Sequence, residues 1–461
     1  MNGSIVPGLA KGMSVAVKVV VIGGGASGIG AAGGAKAADP ANQVIVYTEF
    51  EDVGYSPCGI PYVHGREIAS FESLFLAEKQ AYVDAGIDVR YNTKVTAFDP
   101  ERKIVHVEGE GEVAYDRLVV ATGFDYADPG VPGSDLGGLY YVKNIRRAME
   151  WDKVLDSVKK AVVVEATPLG LEMVTALPHR DIETHLVDPH PWALGELTDP
   201  DIIAPVQESW TEMGVQMHFN TRLEGFLGKD GQVRAVATSA GELEADLVVI
   251  STHKRPNTAL AVAAGLKVGM TDGIIVDERM ATSAPDVYAA GDCCEIPHGV
   301  TGVPLQGLTG SHAYSQGKVA GGNAGGARRT YQPVYVPWAM VAGKWMIGGV
   351  SFGETAATAI GLPYVLGVAN GISRARYYPD VKPIRVKLLA EPGSLRLIGA
   401  QMFGGEGIKE RADFLAMAVR VGITLNDLAT MENVYSPPIG ALNEPISLAA
   451  QDGVARAAKG S

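Results

Sequence analysis

The octapeptide Tyr55-Ser56-Pro57-Cys58-Gly59-Ile60-Pro61-Tyr62 carries the most reactive residue type in the chain. Cys58 sits among turn formers, nine residues after Glu49, and is expected to enter the next helix near its N-terminus. A helix N-terminus lowers a thiol pKa and favours the nucleophilic thiolate. No Cys-x-x-Cys or Cys-x4-Cys partner exists, so an internal dithiol cycle at Cys58 is excluded. The other two cysteines, Cys293 and Cys294, are neighbours in sequence, and a disulfide between them would be strained. Three cysteines in 461 residues make no disulfide framework and fit a reducing compartment. The second chemical signal is Gly23-Gly24-Gly25-Ala26-Ser27-Gly28, a Gly-x-Gly-x-x-Gly turn. Gly23 permits the tight bend, Gly25 lets the backbone approach a pyrophosphate, and Gly28 lets helix and strand pack closely. An acidic residue after the next strand holds ribose hydroxyls in such sites, and Glu49 is the candidate here.

Such a turn works only between a buried strand and a helix whose N-terminus faces the phosphates. The flanks supply both: Val17 to Ile22 is a continuous β run, Gly23 to Gly34 a turn and small-residue helix, and Gln43 to Tyr47 the next strand. A second unit of the same order opens at Ala161 to Val164, passes a helix near Gly170 to Met173, and reaches His185 to Val187. Two such units in one chain read as an internal duplication of a nucleotide-binding fold. β-rich stretches such as Asp88 to His106 and Gln232 to Ala237 lie around them. From Tyr331 the texture changes to an α+β unit, with a strand at Ile384 to Leu389 and a helix at Lys409 to Val421.

Composition bounds the rest. Lys and Arg number 39 against 52 Asp and Glu, so the net charge is −13, which argues against nucleic acid and anionic membranes as partners. Glycine supplies 57 residues, well above average usage, and so points to many tight turns and close backbone approaches. The apolar stretch from Val15 to Ala38 carries two lysines and seven glycines and does not read as a membrane span. No signal-peptide pattern is present, and a cytoplasmic protein is expected, with residues 1–16 a flexible leader.

Two later segments sharpen the reading. Leu118-Val119-Val120-Ala121-Thr122-Gly123 and Asp286-Val287-Tyr288-Ala289-Ala290-Gly291-Asp292 are strands that end in small-residue turns. With the glycine turn and the Cys58 segment, they make the chain from about Val17 to Ala457 resemble the pyridine nucleotide-disulfide oxidoreductases, in their single-cysteine branch. That branch holds coenzyme A-disulfide reductases, NADH:sulfur and polysulfide reductases, and NADH oxidases and peroxidases. The resemblance implies an α/β fold with two Rossmann-like dinucleotide-binding domains and a C-terminal α+β dimerisation domain. The expected bounds are 17–145 with 254–330 for the FAD-binding domain, 146–253 for the NAD(P)-type domain and 331–461 for dimerisation. It implies FAD at the first turn, held by Gly23, Gly25, Ser27, Gly28, Glu49, Pro57, Thr122, Gly123, Gly291, Asp292 and Ala313, with the Asp292 carboxylate on the ribityl chain. In that branch the cysteine cycles through a mixed disulfide with coenzyme A, a persulfide or a sulfenic acid. Peroxidases of the branch carry a histidine in the glycine turn; Ala26 stands there, which argues against a peroxide specialist. The cysteines after Gly291-Asp292 are structural by the same resemblance, and no metal site is expected.

The second turn departs from the pattern. Glu165 and Thr167 occupy the first two glycine positions, and only Gly170 fills the third. A Glu165 carboxylate facing a pyrophosphate is repelled by roughly 3–4 kcal/mol per charge pair at ~4–6 Å and an effective dielectric of ~20. A Cβ at Thr167 obstructs close approach, and Pro168 removes an anion-binding N–H. Asp188 is placed to hold an adenosine ribose, which suits NADH over NADPH, but NADH docking is expected to be impaired. Electrons then reach FAD from a ferredoxin, a partner subunit or a dithiol.

In the C-terminal region, Arg374-Ala375-Arg376-Tyr377-Tyr378-Pro379 and Val434-Tyr435-Ser436-Pro437-Pro438 resemble segments of the coenzyme A-disulfide reductases. There the third domain forms a homodimer and places tyrosines near the partner's cysteine. Tyr435 matches the Tyr-x-Pro-Pro motif, and Tyr378 is preferred over Tyr377 as its companion; a phenol there can protonate a leaving thiolate. The expected function is an FAD-dependent thiol/disulfide oxidoreductase in which Cys58 cleaves or forms a coenzyme A disulfide, persulfide or polysulfide. The alternatives are an NADH oxidase that forms water or peroxide, and an FAD electron-transfer subunit fed by a partner protein.

Overall fold

The computed structural model describes residues 16–331 and 333–460. The expected leader, except its last residue, lies outside them. The first sheet has five parallel strands in the order Val287–Ala289, Arg117–Val120, Lys18–Ile22, Gln43–Tyr47 and Ile87–Arg90. Val19, Val20 and Val21 are fully buried at its centre, as an unbroken β-branched run in a sheet covered on both faces must be. Helix Ala26–Ala38 follows the first strand and packs along helix Gly310–Ala324. The glycines explain how closely: a Cβ on Gly321 would lie 1.9 Å from the Ala31 carbonyl oxygen, and one on Gly317 would lie 2.1 Å from that of Ser27.

The second sheet repeats the plan: Gln216–His218, Glu183–Val187, Lys160–Val164, Leu247–Ile250 and Leu139–Tyr141, all parallel. Its first strand in sequence, Leu139–Tyr141, begins ahead of residue 146. Helix Pro168–Ala176 follows the strand Lys160–Val164, as Ala26–Ala38 follows Lys18–Ile22. Each unit also carries a three-stranded antiparallel sheet, Val95–Asp99 to Gly111–Ala114 in the first and Leu223–Lys229 to Gly241–Glu244 in the second. Two short strands that leave the parallel sheets, Phe124–Tyr126 and Lys254–Pro256, pair antiparallel and tie the units together.

The third unit is a five-stranded antiparallel sheet built from Pro337–Ala342, Trp345–Ser351, Leu397–Gly404, Pro383–Ala390 and Val365–Ile372. Helices Ile408–Val421 and Pro445–Gly460 cover it. Buried Lys387 ties it to the second unit through Asp199 at 2.7 Å and Asp201 at 2.8 Å, and also pairs with Glu354 of its own unit. Burial pulls the Lys387 pKa down, and the three carboxylates outweigh it and hold it above its ordinary value. Among the described residues, no helix is long and apolar enough to cross a membrane.

Candidate functional site

After strand Lys18–Ile22 the chain bends at Gly23, whose φ is +110°. A Cβ there would lie 2.2 Å from the Ala121 carbonyl oxygen, and one on Gly28 would lie 1.9 Å from the Gly23 carbonyl oxygen. Only glycines allow strand, turn and helix to meet this closely. Gly25, the helix N-cap, is different: among the described residues, no atom outside its own stretch of chain lies within 4 Å of where its Cβ would be, and no side chain caps the helix. The first N–H groups of a 13-residue helix thus face open space where an anion can approach.

Three expected residues form one packed knot beside the turn. A Cβ on Gly291 would lie 2.6 Å from Ser27 Oγ and 3.5 Å from Ala313 Cβ, so these residues set how near Asp292 comes to the turn. Thr122 Oγ1 donates to the Asn257 carbonyl at 2.6 Å, and Asn257 N–H donates to the Gly123 carbonyl at 2.9 Å. Asp292 is nearly buried and accepts from Lys254 Nζ at 2.9 Å. Burial pushes its carboxyl up, and Lys254 opposes that. Glu49 stands exposed past the second strand, 3.1 Å from Lys94 Nζ. The open cradle at Gly25, the uncapped helix and the Asp292 carboxylate fit a dinucleotide such as FAD.

Cys58 lies in a single 3-10 turn, Pro57–Gly59, that runs into the five-residue helix Ile60–His64. It is exposed, whereas Cys293 and Cys294 are buried with their sulfurs 3.9 Å apart and unbridged. The residue is exposed, but its thiol is surrounded closely enough by protein to be partly desolvated. Burial therefore pushes its thiol up, Glu172 adds to this, and Lys254 opposes it. The polypeptide does not lower the thiol pKa as the sequence led one to expect, because the helix after Cys58 is too short to outweigh desolvation and a nearby carboxylate. Glu172, on helix Pro168–Ala176, is pushed up to about 7 by burial and accepts from the Tyr62 hydroxyl at 3.3 Å. The neighbours of Cys58 thus come from both nucleotide units.

At the second turn, Gly170 keeps the third-glycine role: a Cβ there would lie 2.6 Å from the Glu165 carbonyl oxygen. Asp188 is buried and engaged within the turn. It accepts the Ala166 N–H at 2.6 Å, and the backbone N–H and ring Nδ1 of His190 each lie 2.8 Å from it. In the third unit the hydroxyls of Tyr435 and Tyr377 lie 2.7 Å apart, both exposed. Tyr378 instead packs against the Arg374 guanidinium, 5.9 Å from its ring centre. The geometry therefore pairs Tyr377, rather than Tyr378, with Tyr435.

Sequence reading did not single out Lys254, Glu172 or Tyr62. Lys254 had one visible signal, its place directly ahead of Arg255-Pro256-Asn257. Glu172 and Tyr62 looked like ordinary helix residues until their helices were brought together.

Residues 17–317 match the family described as pyridine nucleotide-disulphide oxidoreductase, and residues 337–444 match the dimerisation domain of the same family. The chain is 34% identical over 443 residues to an NADH oxidase of Methanocaldococcus jannaschii, covering 95% of this chain and 98% of that one. It is 31% identical over 445 residues to an NAD(P)H sulfur oxidoreductase (CoA-dependent) of Pyrococcus abyssi, covering 94% and 97%. The solved NAD-dependent persulfide reductase from A. fulgidus is similar with a TM-score of 0.92 and 32% identity, over 96% of this chain and 84% of that one. With the glycine cradle, the Gly291-Asp292 knot and the exposed Cys58 in one fold, the chain belongs to the pyridine nucleotide-disulphide oxidoreductases, a family of flavin-dependent oxidoreductases.

Proposed function

We propose that the protein reduces the sulfur–sulfur bond of a low-molecular-weight disulfide, persulfide or polysulfide, with coenzyme A the carrier thiol. One observation carries this reading: among three cysteines, Cys58 alone is exposed, and its neighbours are Glu172 of the second unit and Lys254 and Asp292 at the first. The Cys58 thiolate attacks R–S–S–R′, forming the Cys58–S–SR mixed disulfide and releasing R′S⁻. The mixed disulfide returns to the Cys58 thiolate and RS⁻ on taking up two electrons, which a flavin held at the first turn would supply in its two-electron-reduced form after reduction by a ferredoxin, a partner subunit or a dithiol. Gly23, Gly25 and Gly28 would hold the FAD pyrophosphate at the helix N-terminus, and Asp292, steadied by Lys254, would hold the ribityl chain. Pro57, next to Cys58, would help to hold the flavin in the same reading.

The match to a dimerisation domain supports a homodimer. So does the apolar surface of the third unit: Phe414, Met417 and Val421 form one exposed stripe of a helix, and Val434, Ile439 and Leu442 are exposed as well. In that dimer the Tyr377–Tyr435 pair serves the partner's cysteine and holds a proton for the leaving thiolate. The relative named NADH oxidase supports a second reading, in which oxygen is the acceptor.

The test is turnover of coenzyme A disulfide and polysulfide by the flavin-loaded protein, with dithionite-reduced flavin as the electron source. Cys58→Ser is expected to retain flavin and lose at least about 10³-fold in disulfide cleavage. Undiminished cleavage by the serine variant would overturn the reading. Oxygen uptake with water as product and no disulfide turnover would establish the oxidase instead.

A further inference from the structure

We infer that the second nucleotide turn is built to refuse the pyrophosphate of NAD(P)H, with Glu165, Thr167 and Ser251 as the excluding residues. The family implies a nicotinamide nucleotide there, and the residues present do not fit one.

The two turns superimpose in their backbone logic. Gly23 N–H donates to the Tyr47 carbonyl at 2.8 Å, and Glu165 N–H donates to the Val187 carbonyl at 2.9 Å. Gly23 has a φ of +110°, and Glu165 is held at +68°, in the left-handed region that a glycine occupies without strain. The chain thus keeps the bend and places a carboxylate on it. That carboxylate is half-buried and faces Asp188, His190 and Glu196. Asp188 and Glu196 make the pocket more negative, and His190, itself bonded to Asp188 and 3.4 Å from Glu196, offsets only part of this.

Thr167 has the conformation of Gly25: φ −77° and ψ 164° against −76° and −169°. At Gly25 the space above Cα is open; at Thr167 a side chain fills it, its hydroxyl bonded to buried Ser251. The anion-binding N–H groups are depleted as well. Ala166 N–H is taken by Asp188 at 2.6 Å, and Pro168 has none. Charge, bulk and donor count all act against a dinucleotide pyrophosphate, and none of the three is present at the first turn.

The inference concerns binding and does not depend on what Cys58 cleaves. Its test is the equilibrium binding of NADH and NADPH to the flavin-loaded protein, read by quenching of nicotinamide fluorescence and by calorimetry. The wild type is expected to bind both more weakly than about 1 mM. Glu165→Gln removes charge at constant shape and is expected to tighten NADH about 10-fold; Glu165→Gly with Thr167→Gly is expected to tighten it about 100-fold. N-benzyl dihydronicotinamide, which has no phosphate, is expected to reduce the flavin at equal rates in wild type and variants. That equality shows that the flavin site is undisturbed, and it lets Cys58 be tested whatever the second turn binds. Micromolar NADH affinity in the wild type would overturn the inference without any variant. Weak wild-type binding that stays unchanged in both variants, each retaining flavin, would overturn the assignment to these residues.

Discussion

The two nucleotide turns are one design executed twice with different residues at the same backbone positions. Gly23 and Glu165 bend the chain in the left-handed region, Gly25 and Thr167 open the following helix in nearly the same φ and ψ, and Gly28 and Gly170 let that helix touch the turn. Thr167 takes the backbone of Gly25, where no neighbouring segment crowds the Cβ position, so the fold does not need glycine there; at the first position it does in the first turn, where a Cβ on Gly23 would lie 2.2 Å from the Ala121 carbonyl oxygen. Only the third position is glycine in both turns, and there the clash is with the protein itself, 1.9 Å in one and 2.6 Å in the other. A glycine motif thus mixes two constraints, and the duplication separates them.

The sharpest way to break this comparison is to give the first turn the second turn's residue. Gly25→Thr places a side chain where no other segment of the described residues lies within 4 Å, on a backbone that Thr167 already adopts. The flavin-free variant is expected to fold and melt like the wild type, since threonine is also a good helix N-cap. Its FAD affinity is expected to fall about 100-fold, measured by flavin fluorescence on titration. Unchanged FAD affinity would show that this position does not face a pyrophosphate.

Much of this was legible in the sequence because it rests on local chain properties. The buried valine runs gave both parallel sheets, including Gln43–Tyr47 and Lys160–Val164, and the glycine pattern marked the first turn and the changed residues of the second. The fold of the third unit was visible in the strand Pro383–Ala390 and the helix Ile408–Val421. What was not legible depends on contacts far apart in sequence. Lys254 meets Asp292 only because two strands leave different sheets and pair. The choice between Tyr377 and Tyr378 follows from which one faces the loop at Tyr435, fifty-eight residues on. The thiol pKa of Cys58 was misjudged because its dipole was counted without the length of its helix or the carboxylate of Glu172.

Glu172 gives a pH-dependent contrast between the units, since it is a second-unit residue that acts on the first unit's cysteine. Its carboxyl is raised to about 7 in the folded protein against the ordinary 4.5, so the native state holds a proton that the unfolded chain releases. Stability from this group is present below pH ~4.5 and is lost as pH rises through about 7. Glu172→Gln is expected to flatten the fall in melting midpoint between these limits. The same substitution removes a charge that raises the Cys58 thiol, so alkylation of Cys58 at neutral pH is expected to quicken. A melting profile with the wild-type slope, or slower alkylation, would show that Glu172 does not titrate beside the sulfur.

The smallest effect tests the same contrast between neighbours in the third unit. Tyr377 and Tyr378 are adjacent in sequence and both exposed, but one hydroxyl meets Tyr435 at 2.7 Å and the other ring lies against Arg374. A proton held between two phenols is available to a leaving thiolate, and a ring packed on a guanidinium offers only surface. Tyr377→Phe is therefore expected to lower disulfide turnover about 10-fold with little change in flavin content, and Tyr378→Phe less than about twofold. Tyr435→Phe alone should match Tyr377→Phe, and the double variant should lose little more, because the two hydroxyls act as one unit. Additive losses, or a larger loss at Tyr378, would mean that the pair holds the dimer surface together and does not handle the proton.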